Sequence, residues 1–271
     1  MNSTKIFGAL DSEVVARMVS RRGALMQTGR LAGALAVASL PLSLGLMAKK
    51  AFAQGPITED QLAVLNFALT LERLEAAFYT QGLAAAGLNL GTARPIFEQI
   101  SKHETAHVAL LETLLGANAG PETAYDFTGG GVFNDVFSNP TTFITLAQGF
   151  EDTGVRAYKG QAGALAASAE LLTTALRIHS VEARHAAVVR RLAASPGEKG
   201  WITLNTPTTG PLAAIYAGEE VTTQLEVDLL PFGSAEAVSE AFDEPLTQEE
   251  VEAIVAPFIG EVLPPEEPPP A

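Results

Sequence analysis

The sequence predicts an all-α protein: two helix hairpins forming a four-helix bundle, then a loop-rich C-terminal extension carrying one short helix. Three observations lead there. Four long segments place apolar residues at three- and four-residue steps. Ala and Leu are plentiful while aromatic residues make up only 7% of the chain, which favours helix over sheet. The four segments also fall into two halves of similar pattern.

Taken in order, the first 53 of the 271 residues read apart from the fold. Arg21-Arg22 precede an apolar stretch from Leu31 to Met47, and Ala51-Phe52-Ala53 supplies a small-residue cleavage pattern. Basic, apolar and small-residue regions in that order read as a twin-arginine export signal, cleaved on export. Gly33, Pro41 and Gly45 interrupt the apolar stretch, and it is short for a membrane-spanning helix. The expected location is therefore periplasmic or secreted, without stable membrane insertion after cleavage.

The bundle is assigned to residues 54–195. Its first helix opens at a capping box, Thr58 with Gln61, and runs to about Gly82. The second starts near Thr92, with Pro95 in its first turn, and ends at Gly116. A connection rich in Gly, Asn and aromatics covers Ala117 to Ser138. The third starts at Asn139-Pro140, a cap followed by proline at the first helical position. The fourth spans roughly Ser168 to Ala194 and stops at Ser195-Pro196-Gly197. The extension, 196–263, is expected to pack on the bundle, with a helix from Thr247 to Ile259 opened by a Thr247/Glu250 capping box. The Pro/Glu tail, 264–271, is expected to be disordered.

Composition narrows the chemistry. There is no cysteine, which excludes disulfides, thiolate metal sites and cysteine nucleophiles. Without the signal, ten basic residues face 29 acidic ones, a net charge near −19. Such a surface repels nucleic-acid phosphates and anionic lipid heads and attracts cations.

The buried stripes carry the decisive pattern. The first helix gives Leu62, Leu65, Leu69, Glu72, Ala76 and Tyr79; the second Ile96 or Phe97, Ile100, Glu104, His107, Leu111 and Leu114. The third gives Ile144, Ala147, Glu151, Val155 or Gly154, and Tyr158; the fourth Leu171, Ala175, Ile178, Glu182, His185, Val189 and Leu192. Each stripe is apolar except at its middle. Buried carboxylates without partners cost several kcal/mol each, and no basic residue falls on these stripes. Two divalent cations would balance the four glutamates, with two neutral imidazoles completing the shell. Glu and His three apart lie on one helix face and can reach one ion. Dinuclear carboxylate bundles use this set: one Glu from each of two helices and Glu-x-x-His from each of the others.

The halves also repeat. Tyr79 follows Glu72 by seven residues and Tyr158 follows Glu151 by seven, while the Glu-x-x-His glutamate comes 32 and 31 residues after each. An approximate two-fold axis follows, with one ion held mainly by each half. Tyr79 and Tyr158 can hydrogen-bond the bridging carboxylates or serve as ordinary core aromatics. Glu75 is an alternative ligand, but Glu72 has the spacing to its tyrosine that matches the second half. Asp152 should point about 100° away from Glu151, solvated or behind the ligands. His103 and His179 lie off the stripes, and Arg184 is expected to pair with a surface acid.

The stretches 70–79, 104–107, 151–158 and 181–185 together resemble the ferritin-like domain family, most closely its secreted, desiccation-related members. The resemblance covers about Gln61 to Leu192. It implies a ferritin-like bundle with a long crossover between the second and third helices, and a di-iron or di-manganese centre. Among the functions open to such a centre, redox chemistry on peroxide or dioxygen in oxidative or desiccation stress is the favoured reading. The alternatives are a ferroxidase or metal-sequestering protein, and a stress-protective protein whose metal site is structural. Ferritin-like folds serve several chemistries, so the fold alone does not choose among these. Association of identical copies is left open.

Overall fold

The structure is a computed structural model that describes residues 57–194 and 199–264. The export signal and all of the Pro/Glu tail beyond Pro264 lie outside the described residues. Four long helices form the bundle: α1 (Glu59–Ala84), α2 (Arg94–Leu115), α3 (Pro140–Gln161) and α4 (Ala169–Ala193). The most extensive contacts join α1 to α2 and α3 to α4, which makes two hairpins. Among the described residues no helix is long and apolar enough to cross a membrane.

Local chemistry sets the helix ends. Thr58 and Gln61 close a reciprocal capping box on α1, and the Asn139 side chain accepts from Thr141 N at 3.0 Å to open α3. Ser168 caps α4 through Leu171 N, at 3.4 Å. The C-terminal capping box holds as well: Thr247 and Glu250 open α6 (Gln248–Val255). That helix stops short of Ile259 and passes into a 3-10 turn at Ala256–Phe258, where Pro257 lacks the N–H that another α turn needs. The extension also contains a five-residue helix, α5 (Ala235–Ser239), which no periodicity signals.

The crossover between the hairpins is anchored at several points. Its strand β1 (Thr123–Tyr125) pairs antiparallel with β4 (Ile259–Val262), so the end of the extension returns to it. A second small ladder joins β2 (Thr223–Gln224) to β3 (Val227–Asp228). Gly129, Gly130 and Gly131 all take positive φ, from 56° to 96°, and this turn carries Phe127 and Phe133 into the core. Phe78 of α1 lies against Phe127 and Phe137 of the crossover and against Phe143 and Phe150 of α3. Phe258 closes on Phe150 from the extension side.

Helices α1 and α3 are buried far more widely than one stripe. Every residue from Gly149 to Tyr158 is buried, because the extension covers the side of α3 that a bare bundle would expose. Asp152 is therefore not solvated. It is buried, accepts the Tyr216 hydroxyl at 2.6 Å and pairs with Arg190 of α4. Arg156 is buried too, 2.9 Å from the Glu219 carboxylate, and donates to the carbonyls of Glu244 and Ala217 at 2.7 and 2.9 Å. Its charge is thus spent on the extension and is not offered to the glutamates of the bundle. Arg156→Ala leaves Glu219 buried without its cation and is expected to lower unfolding free energy by about 3–5 kcal/mol, measured by denaturant melts.

Candidate metal centre

At the middle of the bundle each helix delivers one glutamate: Glu72 from α1, Glu104 from α2, Glu151 from α3 and Glu182 from α4, all at 0% exposure. His107 and His185 stand one turn beyond Glu104 and Glu182. The helical spacing turns each imidazole into the same space as the carboxylates.

His107 Nδ1 lies 3.1 Å from Glu72 Oε2, 3.1 Å from Glu104 Oε2 and 3.0 Å from Glu182 Oε1. His185 Nδ1 lies 2.8 Å from Glu104 Oε1 and 3.3 Å from both Glu151 Oε2 and Glu182 Oε2. Glu104 and Glu182 each present one oxygen toward each histidine. An imidazole Nδ1 has one proton or one lone pair, so it cannot serve three carboxylate oxygens. Glu104 Oε1, Glu151 Oε2 and Glu182 Oε1 accordingly remain buried without a hydrogen-bond partner among the described residues. Two groups of four donors result, Glu72/Glu104/His107/Glu182 and Glu104/Glu151/Glu182/His185, with the donor atoms of each within 4.8 Å of one another. Converging oxygen and imidazole donors with orphaned lone pairs suit metal ions.

A family model for the ferritin-like domain matches residues 60–195. The chain belongs to the ferritin-like domain family. A comparison with curated proteins returns no match.

Within this ferritin-like bundle the tyrosines act across the halves. Tyr158 of α3 donates to Glu72 Oε1 of α1 at 2.5 Å, and Tyr79 of α1 donates to Glu151 of α3. Their partners are thus Glu72 and Glu151, the glutamates that belong to one donor group each. Either hydroxyl fixes the rotamer of a carboxylate whose other oxygen faces a histidine. Tyr158→Phe is expected to weaken metal binding about tenfold, read by chelator competition.

Without metal, the cluster shares protons. Burial raises the Glu72 carboxyl to about 8, with the Glu182 charge adding to the rise and His107 opposing it. Burial and neighbouring carboxylates also hold Glu75 and Glu151 well above the ordinary range. Glu104 behaves oppositely: burial disfavours its charge, but the His107 and His185 imidazoles beside it prevail and pull it to about 2. Burial disfavours protonation of His185, yet the carboxylates of Glu104, Glu151 and Glu182 around its Nδ1 push it up to about 12. His107 is raised still further, the charge of Glu72 and the nearby carboxylates of Glu104 and Glu182 overcoming burial. In the metal-free fold the surrounding carboxylates thus favour the protonated form of both imidazoles.

Other residues deserve placement beside these. Glu75 is buried and faces the same cluster, although it belongs to neither group of four donors. His103 is half-buried against His185, and His179 Nδ1 lies 3.1 Å from the Val155 carbonyl. Arg184 forms no ion pair among the described residues; it lines a cleft of about 600 Å³ between α2 and α4, together with His103, His107 and His185. This cleft leads from solvent to the histidines. Sequence reasoning missed the cleft and the His103 contact, because both depend on how α2 and α4 sit side by side.

Proposed function

We propose that this chain is an exported protein that holds two ions, Fe or Mn, between Glu72, Glu104, His107, Glu151, Glu182 and His185, and uses them on peroxide or dioxygen. The observation that supports the reading best is the behaviour of Glu104 and Glu182, each of which turns one oxygen to each histidine. Carboxylates in that posture would serve both donor groups at once, and both groups contain Glu104 and Glu182. Oxygen and imidazole ligands suit Fe and Mn, although raw affinity favours Cu or Zn. Folding and loading in the cytoplasm before twin-arginine export would make that choice, which is the functional sense of the Arg21-Arg22 pair.

When bound, such a pair supplies redox chemistry on a small oxidant. The chain's own groups do the rest. His103, His107, His185 and Arg184 line the open cleft and admit a small molecule. Tyr79 and Tyr158 hold Glu151 and Glu72 in place. The aromatic core around Phe78 and Phe97 excludes water beyond Tyr79. A role in oxidative or desiccation stress rests on the resemblance of the four sequence stretches.

Elemental analysis of native protein combined with a peroxide-consumption assay tests this. Two Fe or Mn per chain with peroxide turnover is the expected result. Uptake of many irons per chain would point to ferroxidase or sequestering activity, which the acidic surface also suits. Two ions with neither behaviour would leave a structural metal site.

A further inference from the structure

The two halves of the centre correspond position by position. Glu72 and Tyr79 of α1 match Glu151 and Tyr158 of α3, and Glu104 and His107 of α2 match Glu182 and His185 of α4. Two departures from this correspondence lie against the cluster. Glu75 stands three residues after its ligand glutamate and four before its tyrosine; the residue so placed in α3 is Gly154. Glu75 Oε1 lies 3.2 Å from where a Cβ on Gly154 would stand, and Glu182 Cγ lies 3.8 Å from the same point. The missing side chain in α3 leaves room that the α1 carboxylate fills, one turn along from Glu151.

The second departure at the cluster is His103, which precedes Glu104 where Val181 precedes Glu182. His103 Nδ1 is 2.8 Å from His185 Nε2, the two rings stack with centroids 5.1 Å apart, and Gln99 reaches His103 Nε2 at 2.7 Å. Binding an ion through His185 Nδ1 requires the hydrogen on Nε2, where His103 Nδ1 accepts it. The Gln99 amide oxygen, after exchange with the nitrogen, then accepts from His103 Nε2. Among the described residues no protein group bonds Nε2 of His107. These two departures favour one side. Two of the three orphaned carboxylate oxygens, Glu104 Oε1 and Glu151 Oε2, face His185 there.

We propose that the two metal positions are inequivalent: the one bounded by Glu104, Glu151, Glu182 and His185 takes the first ion and holds it more tightly, with Glu75 as a further carboxylate at that ion. This rests on the two-ion reading above. An added anionic donor strengthens attraction for a cation, and a partner behind a ligating histidine is commonly worth 10–100-fold in affinity.

Titration of the chelated full chain with Mn²⁺, following free Mn²⁺ by electron paramagnetic resonance, tests it. Two steps separated by about tenfold or more are expected. Glu75→Gln should weaken the first step by about tenfold and leave the second within about twofold. His107→Ala should keep the tight step and His185→Ala should lose it, a comparison that stands even if the Glu75 variant folds poorly. Two equal steps in the unaltered chain, or loss of the tight step in His107→Ala, overturns the inequivalence while leaving a dinuclear centre. Uptake of no ion or of a single ion overturns both.

Discussion

Glu104→Ala protein, reconstituted with Mn²⁺ or Fe²⁺ and freed of excess metal, is expected to retain fewer than one ion per chain, against the two expected of the unaltered chain. Glu104 alone of the α2 residues reaches both histidines, with Oε1 2.8 Å from His185 Nδ1 and Oε2 3.1 Å from His107 Nδ1. Truncating it takes a donor from each group of four at once. Glu72→Ala, by contrast, touches one group only and should keep one ion. His103→Ala, which removes a support and no donor, should keep both at saturating metal. Elemental analysis reads the outcome, with circular dichroism confirming helix content in each variant. Full occupancy in Glu104→Ala would sink the shared-ligand assignment.

Much of this centre can be read from sequence because it obeys helical spacing. Glu104 with His107, and Glu182 with His185, sit three apart on amphipathic helices whose outer faces are solvated, so a single stripe describes α2 and α4 well. Helices α1 and α3 defeat the single-stripe reading. They are packed on several sides at once, by the opposite hairpin, the crossover and the extension, so burial no longer follows one period. Glu75 shows the consequence. Its flanks, Leu74 and Phe78, are apolar and already mark a wider buried arc than the Leu65–Leu69–Glu72 line. Asp152 and Arg156 are hidden for a different reason: their partners, Tyr216 and Glu219, lie more than fifty residues away in a loop-rich extension with no periodicity to announce it.

The pH dependence of stability should reverse sign when metal is removed. In the metal-free fold Glu72 titrates near 8, against an ordinary carboxyl value of 4.5, and Glu75 and Glu151 are raised as well. A group raised in the fold contributes stability that is complete below its unfolded pKa and is lost as pH climbs through its folded pKa. For Glu72 that loss runs from about pH 4.5 to 8. His185, raised from 6.5 to about 12, adds to the loss above pH 6.5. Glu104, lowered to about 2, gives stability that fades only below pH 4.5, outside this range. Each proton held by the fold and not by the unfolded chain changes stability by about 1.4 kcal/mol per pH unit. The chelated protein should therefore melt at progressively lower temperature from about pH 5 to 8. The loaded protein runs the other way. Its carboxylates and imidazoles must give up their protons to bind, so acid competes with metal and stability rises with pH. Thermal melts of chelated and reconstituted protein across that range decide the matter. Parallel curves would mean that the glutamates do not converge on one shared buried site, and the dinuclear reading would be withdrawn.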